Sequence, residues 1–150
     1  MKLDSVDKIL EFAIGKEQDA YEFYVDLGAK MDKPYMKEIF DQFAKEEKGH
    51  KAKLQAVKEG KLMLGNEQKV IDLKIGDNLM DIELTPGLSY QQALIIAMKA
   101  EKASYKLYTD LAKSTNNDNL KATFTTLANE EAKHKMRFEI EYDECVLTEN

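Results

Sequence analysis

The chain has 150 residues, a length that suits one domain with a substantial hydrophobic core. Hydrophobic residues make up 43% of it and charged residues 33%, proportions that exclude the low-hydrophobicity class of disordered proteins. The net charge is −6 and no basic cluster stands out, which argues against nucleic acid as a partner.

The sequence also argues against a membrane protein and against an oxidising compartment. The longest uninterrupted apolar run, Ala93 to Met98, is far too short to span a bilayer. Charged residues occupy the N-terminal positions where a signal peptide needs apolar ones. The single cysteine, Cys145, excludes an internal disulfide and a four-thiolate metal site. We therefore expect a cytoplasmic protein.

Helical periodicity predicts four long helices, of which the first two form a hairpin. Ser5 is suitably placed to cap a first helix that runs to about residue 30. Pro34 suits the first turn of a second helix, and Gly60 would end that helix at about residue 59.

The second predicted hairpin follows a long crossover at about residues 60–88. Ser89 and Gln92 form a capping box that opens the third helix. The polar turn KSTNNDN ends it, and a fourth helix runs from about residue 118 to the low 140s. Within the crossover, VIDLKI alternates like a strand, so we expect an ordered connection with a short helical turn or strand pairing. The fold class is therefore predicted to be all-α, a four-helix bundle made of two hairpins.

The two hairpins are a sequence repeat with an offset of 84 residues. AIGKEQDAYEFYVDL aligns with AMKAEKASYKLYTDL, and FDQFAKEEKGHK then aligns with FTTLANEEAKHK without a gap. The identical pairs include Glu17 with Glu101, Tyr21 with Tyr105, Tyr24 with Tyr108, Glu47 with Glu131, and His50 with His134. We predict a single domain over residues 1–150, with repeats at about 5–59 and 89–143.

The repeated Glu and His residues fall on the face of each helix that points at the bundle axis, here called the seam. In the second helix, Glu47 and His50 share the seam with large apolar residues: Met36, Phe40, Phe43, Leu54 and Val57. The fourth helix repeats this pattern, and the first and third helices place Glu17 and Glu101 on their seams. Four carboxylates and two imidazoles are therefore predicted to share the middle of a hydrophobic core.

Such a polar layer needs a counter-charge. An unpaired buried charge costs at least several kcal/mol, and the seams contain no Lys or Arg. Two divalent cations would balance four carboxylates, with neutral histidines completing their coordination. Protonation of the carboxyl groups is the alternative, and it requires all four to shift together. Mixed carboxylate and imidazole ligation favours iron or manganese over a structural zinc ion.

A Glu from each of two helices, with Glu-x-x-His from each of the other two, is the ligand layout of the ferritin-like di-iron carboxylate proteins. The chain resembles that superfamily over nearly its whole length, and its crossover and paired EEKGH and EEAKH motifs most resemble the rubrerythrin branch. The resemblance implies a ferritin-like bundle with these metal ligands: Glu17, Glu47, His50, Glu101, Glu131 and His134. Glu47 and Glu131 would bridge two iron ions, and Glu17 and Glu101 would be terminal ligands. Manganese is the alternative metal.

The resemblance also implies an activity and partners. Rubrerythrins reduce hydrogen peroxide at the di-iron centre with electrons from a rubredoxin-like iron site. That iron site needs four cysteines and this sequence has one, so we expect a separate electron donor such as a rubredoxin-like protein. No fifth C-terminal helix of the kind that caged ferritins carry is evident, which favours a homodimer over a shell.

One ligand position departs from the rubrerythrin pattern. Rubrerythrins carry a further carboxylate one turn after the third-helix glutamate, and that position here is Ser104. The remaining set of four Glu and two His is closer to the ferroxidase centre of bacterioferritin. Two functions therefore stay open: reduction of hydrogen peroxide or oxygen, and iron oxidation and handling without peroxidase turnover. A bundle that has lost its metal is a third.

Two further repeated pairs lie near the ligands. Tyr24 and Tyr108 follow the ligand glutamates by two turns on the same face, and we count them with those glutamates as candidate catalytic residues. They could donate hydrogen bonds to ligand carboxylates, intercept a stray oxidising equivalent, or form an aromatic core stripe. Glu46 and Glu130 lie one position off the seam, where we expect charges that support the ligands or face an interface.

Overall fold

The computed structural model describes residues 2–3, 5–60, 71–72, 84 and 87–149. Its helices are α1 (Val6–Ala29), α2 (Pro34–Glu59), α3 (Tyr90–Ser114) and α4 (Asp118–Glu149). Two short strands, β1 (Lys2–Leu3) and β2 (Ile71–Asp72), pair antiparallel. Helix α1 packs along α2 and α3 along α4, so the protein is an all-α four-helix bundle of two hairpins. Among the described residues, no helix combines the length and apolar character that crossing a membrane requires.

The predicted starts of the first three helices are confirmed. Ser5 Oγ accepts a hydrogen bond from the Lys8 amide at 3.2 Å and caps α1. Pro34 opens α2, where its missing N–H would have had no partner within the helix. Ser89 Oγ accepts from the Gln92 amide at 3.1 Å, and Gln92 Oε1 accepts from the Ser89 amide at 3.0 Å, which completes the capping box of α3.

The predicted end of α4 in the low 140s is wrong, because the helix continues to Glu149. No Gly or Pro follows Tyr142 to stop it. Tyr142 and Cys145 also pack against the core, which stabilises the additional turns. In the crossover, strand pairing occurs within VIDLKI at Ile71 and Asp72, and the rest of that segment lies outside the described residues.

The apolar core has two parts that lie on opposite sides of the predicted polar layer. On every helix, the seam glutamate falls between residues of one part and residues of the other. The aliphatic core is built mainly from Ile9, Leu10, Leu54, Leu107, Leu111, Leu120 and Leu127, with Tyr108 and Phe124. The aromatic core contains Tyr24, Phe40, Phe43, Tyr90 and Phe138. The two cores thus enclose the polar layer from both ends of the bundle.

The substitution Gly49→Ala is expected to stabilise the protein by about 1 kcal/mol, since that is the cost of Gly relative to Ala inside a helix. Gly49 is exposed in α2, and a Cβ there would meet nothing within 4 Å. Gly28→Ala is the matched control, because its Cβ would lie 3.1 Å from Asp41 Oδ1 and 3.3 Å from the Lys37 carbonyl oxygen. Urea unfolding of both variants measures the difference, and a loss of stability in Gly49→Ala would contradict the expectation.

Candidate metal centre

Six side chains from four helices meet in the layer between the aliphatic and aromatic cores. Helices α1 and α3 each supply one glutamate, and α2 and α4 each supply a glutamate and a histidine spaced so that both lie on one face. The six are the predicted ligands: Glu17, Glu47, His50, Glu101, Glu131 and His134. All are buried except His50, which is partly exposed. The structure therefore brings together every residue of the predicted ligand set.

Each imidazole faces carboxylates from other helices through its Nδ1 atom. His50 Nδ1 lies 3.0 Å from Glu131 Oε1 and 3.6 Å from Glu17 Oε1. His134 Nδ1 lies 3.1 Å from Glu47 Oε1 and 3.4 Å from Glu101 Oε1. The two rings stack almost parallel, at an angle of 6° with centroids 5.6 Å apart. This arrangement follows the sequence repeat, because each histidine reaches the Glu-x-x-His glutamate of the other hairpin.

The donor atoms form two overlapping groups of four, beside a smaller group made of Glu47, His50 and His134. One nitrogen or oxygen from each residue of the first group lies within 4.8 Å of the others, and the same holds for the second group. The first group is Glu17, Glu47, His50 and Glu131, and the second is Glu47, Glu101, Glu131 and His134. Glu47 and Glu131 belong to both. Two metal positions that share these two carboxylates would account for the overlap.

Unsatisfied polar atoms test whether the layer fits a metal pair. Within the described part of the chain, eight buried side-chain N and O atoms of the six residues have no hydrogen-bond partner. They include both carboxylate oxygens of Glu131 and both ring nitrogens of His134. The charged groups facing the carboxylates at close range are the two histidines, not lysine or arginine. Buried polar atoms without partners are costly, so this donor set fits two divalent cations.

Without metal, the layer retains protons. Burial and the neighbouring Glu47 carboxylate raise the pKa of Glu17 from 4.5 to about 8. Burial and the charges of Glu101 and Glu47 also raise the pKa of Glu131 well above its ordinary value. Burial alone would lower the pKa of His134, but Glu101 and Glu47 outweigh it and raise that pKa to about 10. Metal binding at neutral pH must therefore displace protons.

Tyr24 and Tyr108 connect the two hairpins through Glu101 and Glu17. Tyr24 Oη donates a hydrogen bond to Glu101 Oε1, and Tyr108 Oη donates one to Glu17 Oε1. Burial and the nearby carboxylates raise the pKa of both phenols, which keeps the hydroxyl protons in place. Both rings also pack in the cores, so the hydrogen-bonding and core-packing interpretations both hold.

The substitution Tyr108→Phe is expected to weaken metal binding about 10-fold, since loss of a group that orients a ligand typically costs this much. It removes the donor that fixes Glu17 and leaves a buried oxygen unsatisfied, which should also lower stability by about 1–3 kcal/mol. Tyr24→Phe should weaken metal binding and lower stability in the same way, because Tyr24 donates to Glu101. Tyr105→Phe is the control, because Tyr105 is 43% exposed. Isothermal titration with a divalent metal measures the affinity, and equal binding by all three variants would contradict the assigned roles.

The sequence interpretation missed Arg137, which lies at the edge of the layer. Arg137 Nη1 donates to Glu46 Oε2 at 2.9 Å and Glu46 Oε1 at 3.1 Å. Glu46 in turn faces His134, with Oε2 3.7 Å from Nε2. Glu130, the counterpart of Glu46, pairs instead with Lys133 at 3.5 Å. A signal was available, because Arg137 is the sole arginine of the sequence and follows His134 by one helical turn.

Solved structures with a similar fold include proteins from three organisms. A hypothetical protein from Pyrococcus furiosus is 28% identical, with a TM-score of 0.66, and the match covers 93% of this chain and 89% of that one. An uncharacterized conserved protein from Magnetospirillum magnetotacticum is 19% identical, with a TM-score of 0.71 and coverage of 93% and 95%. A protein assigned as ferritin-like diiron-carboxylate from Thermotoga maritima is 22% identical, with a TM-score of 0.66 and coverage of 94% and 96%.

The family comparison covers most of the sequence. No protein with a curated function matches the chain. The family model named Rubrerythrin matches residues 8–142, which include both hairpins and all six residues of the candidate metal centre. The chain therefore belongs to the rubrerythrin family.

Proposed function

We propose that the protein is a non-haem di-iron oxidoreductase that reduces hydrogen peroxide, with electrons from a separate donor protein. The observation that carries this proposal is the pair of four-residue donor groups that share Glu47 and Glu131 in a member of the rubrerythrin family. Oxygen and nitrogen donors in this proportion suit iron, with manganese as the alternative metal.

The side chains of the layer have distinct roles in the proposed reaction. Glu47 and Glu131 would bridge the two metal positions, and Glu17 and Glu101 would each complete one of them. Tyr24 and Tyr108 orient the terminal carboxylates and keep their phenolic protons. When bound, two ferrous ions would supply the two electrons that break the O–O bond of peroxide and would stabilise the charge that forms on oxygen, and two protons from solvent would complete the reduction to water.

Access to the centre is expected from the His50 side. The His50 side chain is 12% exposed, whereas the side chains of His134, Glu47 and Glu131 are exposed by no more than 2%. The aliphatic and aromatic cores exclude bulk water above and below the layer. A small oxidant would therefore approach past His50, while a protein donor would deliver electrons from the bundle surface. A rubredoxin-like protein is the expected donor, because rubrerythrins take their electrons from a rubredoxin-like iron site and these 150 residues contain one cysteine.

Iron oxidation and handling is the second candidate function, and Ser104 is the residue that favours it. Ser104 is partly buried on α3, one turn after Glu101, and it offers no carboxylate to the metal. A set of four Glu and two His without this extra carboxylate suits a centre that oxidises ferrous iron with oxygen and is re-reduced slowly.

Rapid mixing distinguishes the two functions. The protein is loaded with ferrous iron without oxygen, freed of excess iron, and mixed with hydrogen peroxide or, separately, with oxygen. Much faster oxidation by peroxide, at two irons per chain, is the expected result. Comparable or faster oxidation by oxygen would favour iron handling. Glu131→Gln is the loss-of-site variant and Glu130→Gln its control, because Glu130 lies outside both donor groups. Failure of the wild-type chain to retain iron would overturn the di-iron proposal.

A further inference from the structure

The two histidines of the metal centre differ in what lies behind their rings. His134 presents Nδ1 to the carboxylates of the layer, and its Nε2 is buried without a hydrogen-bond partner among the described residues. The carboxylate nearest to that Nε2 is Glu46, whose Oε2 lies 3.7 Å away. Glu46 is also held by Arg137, whose Nη1 donates to both carboxylate oxygens at 2.9 and 3.1 Å. Arg137, Glu46 and His134 therefore form a chain that ends at the metal centre.

An aromatic contact holds the same histidine from a second direction. The Phe43 ring meets the His134 ring edge-on, at an angle of 86° with centroids 5.0 Å apart. The Arg137 guanidinium carbon lies 4.4 Å from the centroid of Phe43, within the range of a cation–π contact. Arg137 thus contacts both groups that surround His134, and the plane of the imidazole is constrained by packing as well as by charge.

The other half of the repeat lacks all three of these supports. The counterparts of Phe43, Glu46 and Arg137 at the offset of 84 are Leu127, Glu130 and Lys53. Glu130 forms an ion pair with Lys133 on its own helix, and no described ion pair joins it to His50. The His50 side chain is 12% exposed against 2% for His134. The repeat therefore places the same ligands in two different surroundings.

The chemistry of a metal-bound imidazole gives Glu46 a role. A histidine that binds metal through Nδ1 carries its remaining proton on Nε2, and that N–H needs an acceptor when it is buried. A carboxylate acceptor fixes the ring orientation and makes the ring a stronger metal ligand. Glu46 needs to move only a few tenths of an ångström to reach hydrogen-bond distance. Arg137 holds the Glu46 carboxylate close to His134, because its Nη1 donates charge-assisted hydrogen bonds to both carboxylate oxygens.

We infer that Glu46 and Arg137 are positioning residues for His134, and that they make the two metal positions unequal. The position formed by Glu47, Glu101, Glu131 and His134 binds the first metal ion tightly. The position that contains His50 binds the second ion more weakly and exchanges it more readily with solvent. This inference rests on the proposed metal centre and adds an order of filling to it.

Stepwise metal titration of the full chain tests the order of filling. The wild-type protein, titrated with Co²⁺ in the absence of oxygen, is expected to show two steps whose affinities differ at least about 10-fold. Glu46→Ala is expected to weaken the tighter step about 10- to 100-fold, the usual effect of losing such a partner, and to leave the weaker step unchanged. Glu130→Ala is the matched control and is expected to change neither step. Glu46→Gln, which keeps an acceptor oxygen, should restore part of the loss.

A second readout reports directly on the imidazole proton. In the Zn²⁺-loaded protein, a ¹H–¹⁵N spectrum should show a slowly exchanging Nε2–H signal from His134. The same proton of His50 should exchange faster, because that side chain reaches solvent. The His134 signal should broaden or vanish in Glu46→Ala and persist in Glu130→Ala. Far-UV circular dichroism confirms that the variants fold, which is expected because the Glu46 side chain is 33% exposed.

The outcomes separate this inference from the metal centre itself. If the wild-type protein binds no metal, both proposals fall. If it binds two ions and Glu46→Ala and Glu130→Ala titrate like the wild type, the metal centre stands and the positioning role is wrong. Equal weakening of both steps by Glu46→Ala would also overturn the inference, because a general structural defect would account for it.

Discussion

The substitution Glu131→Gln is expected to stabilise the metal-free protein by up to about 3 kcal/mol at pH 7 while weakening metal binding about 100-fold or more. Glu131 is fully buried, and both of its carboxylate oxygens lack a hydrogen-bond partner among the described residues. Burial and the charges of Glu101 and Glu47 raise its pKa well above 4.5, so above that pH folding favours a proton that the unfolded carboxyl group has released, and this costs free energy. Glutamine has nearly the same shape without that cost.

The size of the stability change caused by Glu131→Gln depends on pH, and this dependence identifies its origin. A carboxyl group whose pKa is raised on folding contributes fully below the unfolded value of 4.5 and loses that contribution as the pH rises. The advantage of glutamine should therefore be close to zero below pH 4.5 and should grow towards neutral pH. Urea unfolding of the metal-free proteins at pH 4 and pH 7 measures it.

Glu130→Gln is the control for this experiment. Glu130 precedes Glu131 in α4 and lies towards solvent, and among the described residues its ion-pair partner is Lys133 at 3.5 Å. Its substitution should therefore change neither stability nor metal binding appreciably. If Glu131 were instead a structural residue, the glutamine variant would lose stability at every pH and keep its affinity for metal. Such a result would remove Glu131 from the centre.

Much of the fold and the metal centre could be predicted because the sequence contains the helical hairpin, with its Glu and His residues, twice. Large apolar residues recur along each seam, and the repeat places Glu47 and His50 on the same pattern as Glu131 and His134. Charges at positions that packing requires to be apolar have few physical explanations, so the metal centre followed from the pattern together with the energetic cost of burial. The helix starts were predictable because capping depends on neighbouring residues alone.

Contacts between helices were harder to predict. Tyr24 follows Glu17 by two turns on α1, but its hydroxyl reaches Glu101 on α3. Arg137 reaches back from α4 to Glu46 on α2, although α4 itself carries Glu141 four residues further on, the spacing of helix neighbours. Such pairings depend on the spacing and rotation of the helices, which periodicity does not determine. The excess length of α4 was missed for a related reason, since contacts of Tyr142 and Cys145 with the core sustain its last turns.

Filling both metal positions is expected to raise the midpoint of thermal unfolding by about 10–20 °C at a metal concentration 100 times each dissociation constant. A ligand in that excess stabilises the folded state by about 2.7 kcal/mol per site. For a chain of this length, each kcal/mol shifts the midpoint by about 2–4 °C. Magnesium provides the control for non-specific ionic effects, because it prefers all-oxygen ligation with several bound waters.

This stabilisation should increase with pH, since metal and protons compete for the same atoms. Folding raises the pKa of Glu17 from 4.5 to about 8 and that of His134 from 6.5 to about 10. Proton binding by each group therefore contributes its full stability to the metal-free fold at pH values below the unfolded pKa. That contribution is lost as the pH rises towards the folded values, at up to about 1.4 kcal/mol per pH unit for each group. Between pH 6 and pH 8 the metal-free midpoint should therefore fall, while the loaded midpoint should hold or rise, because the bound metal already holds the deprotonated forms and only the unfolded histidines lose protons over this range. Differential scanning calorimetry at both pH values measures the gap. A gap that narrows at pH 8 would mean that the protonated layer is not what the metal displaces.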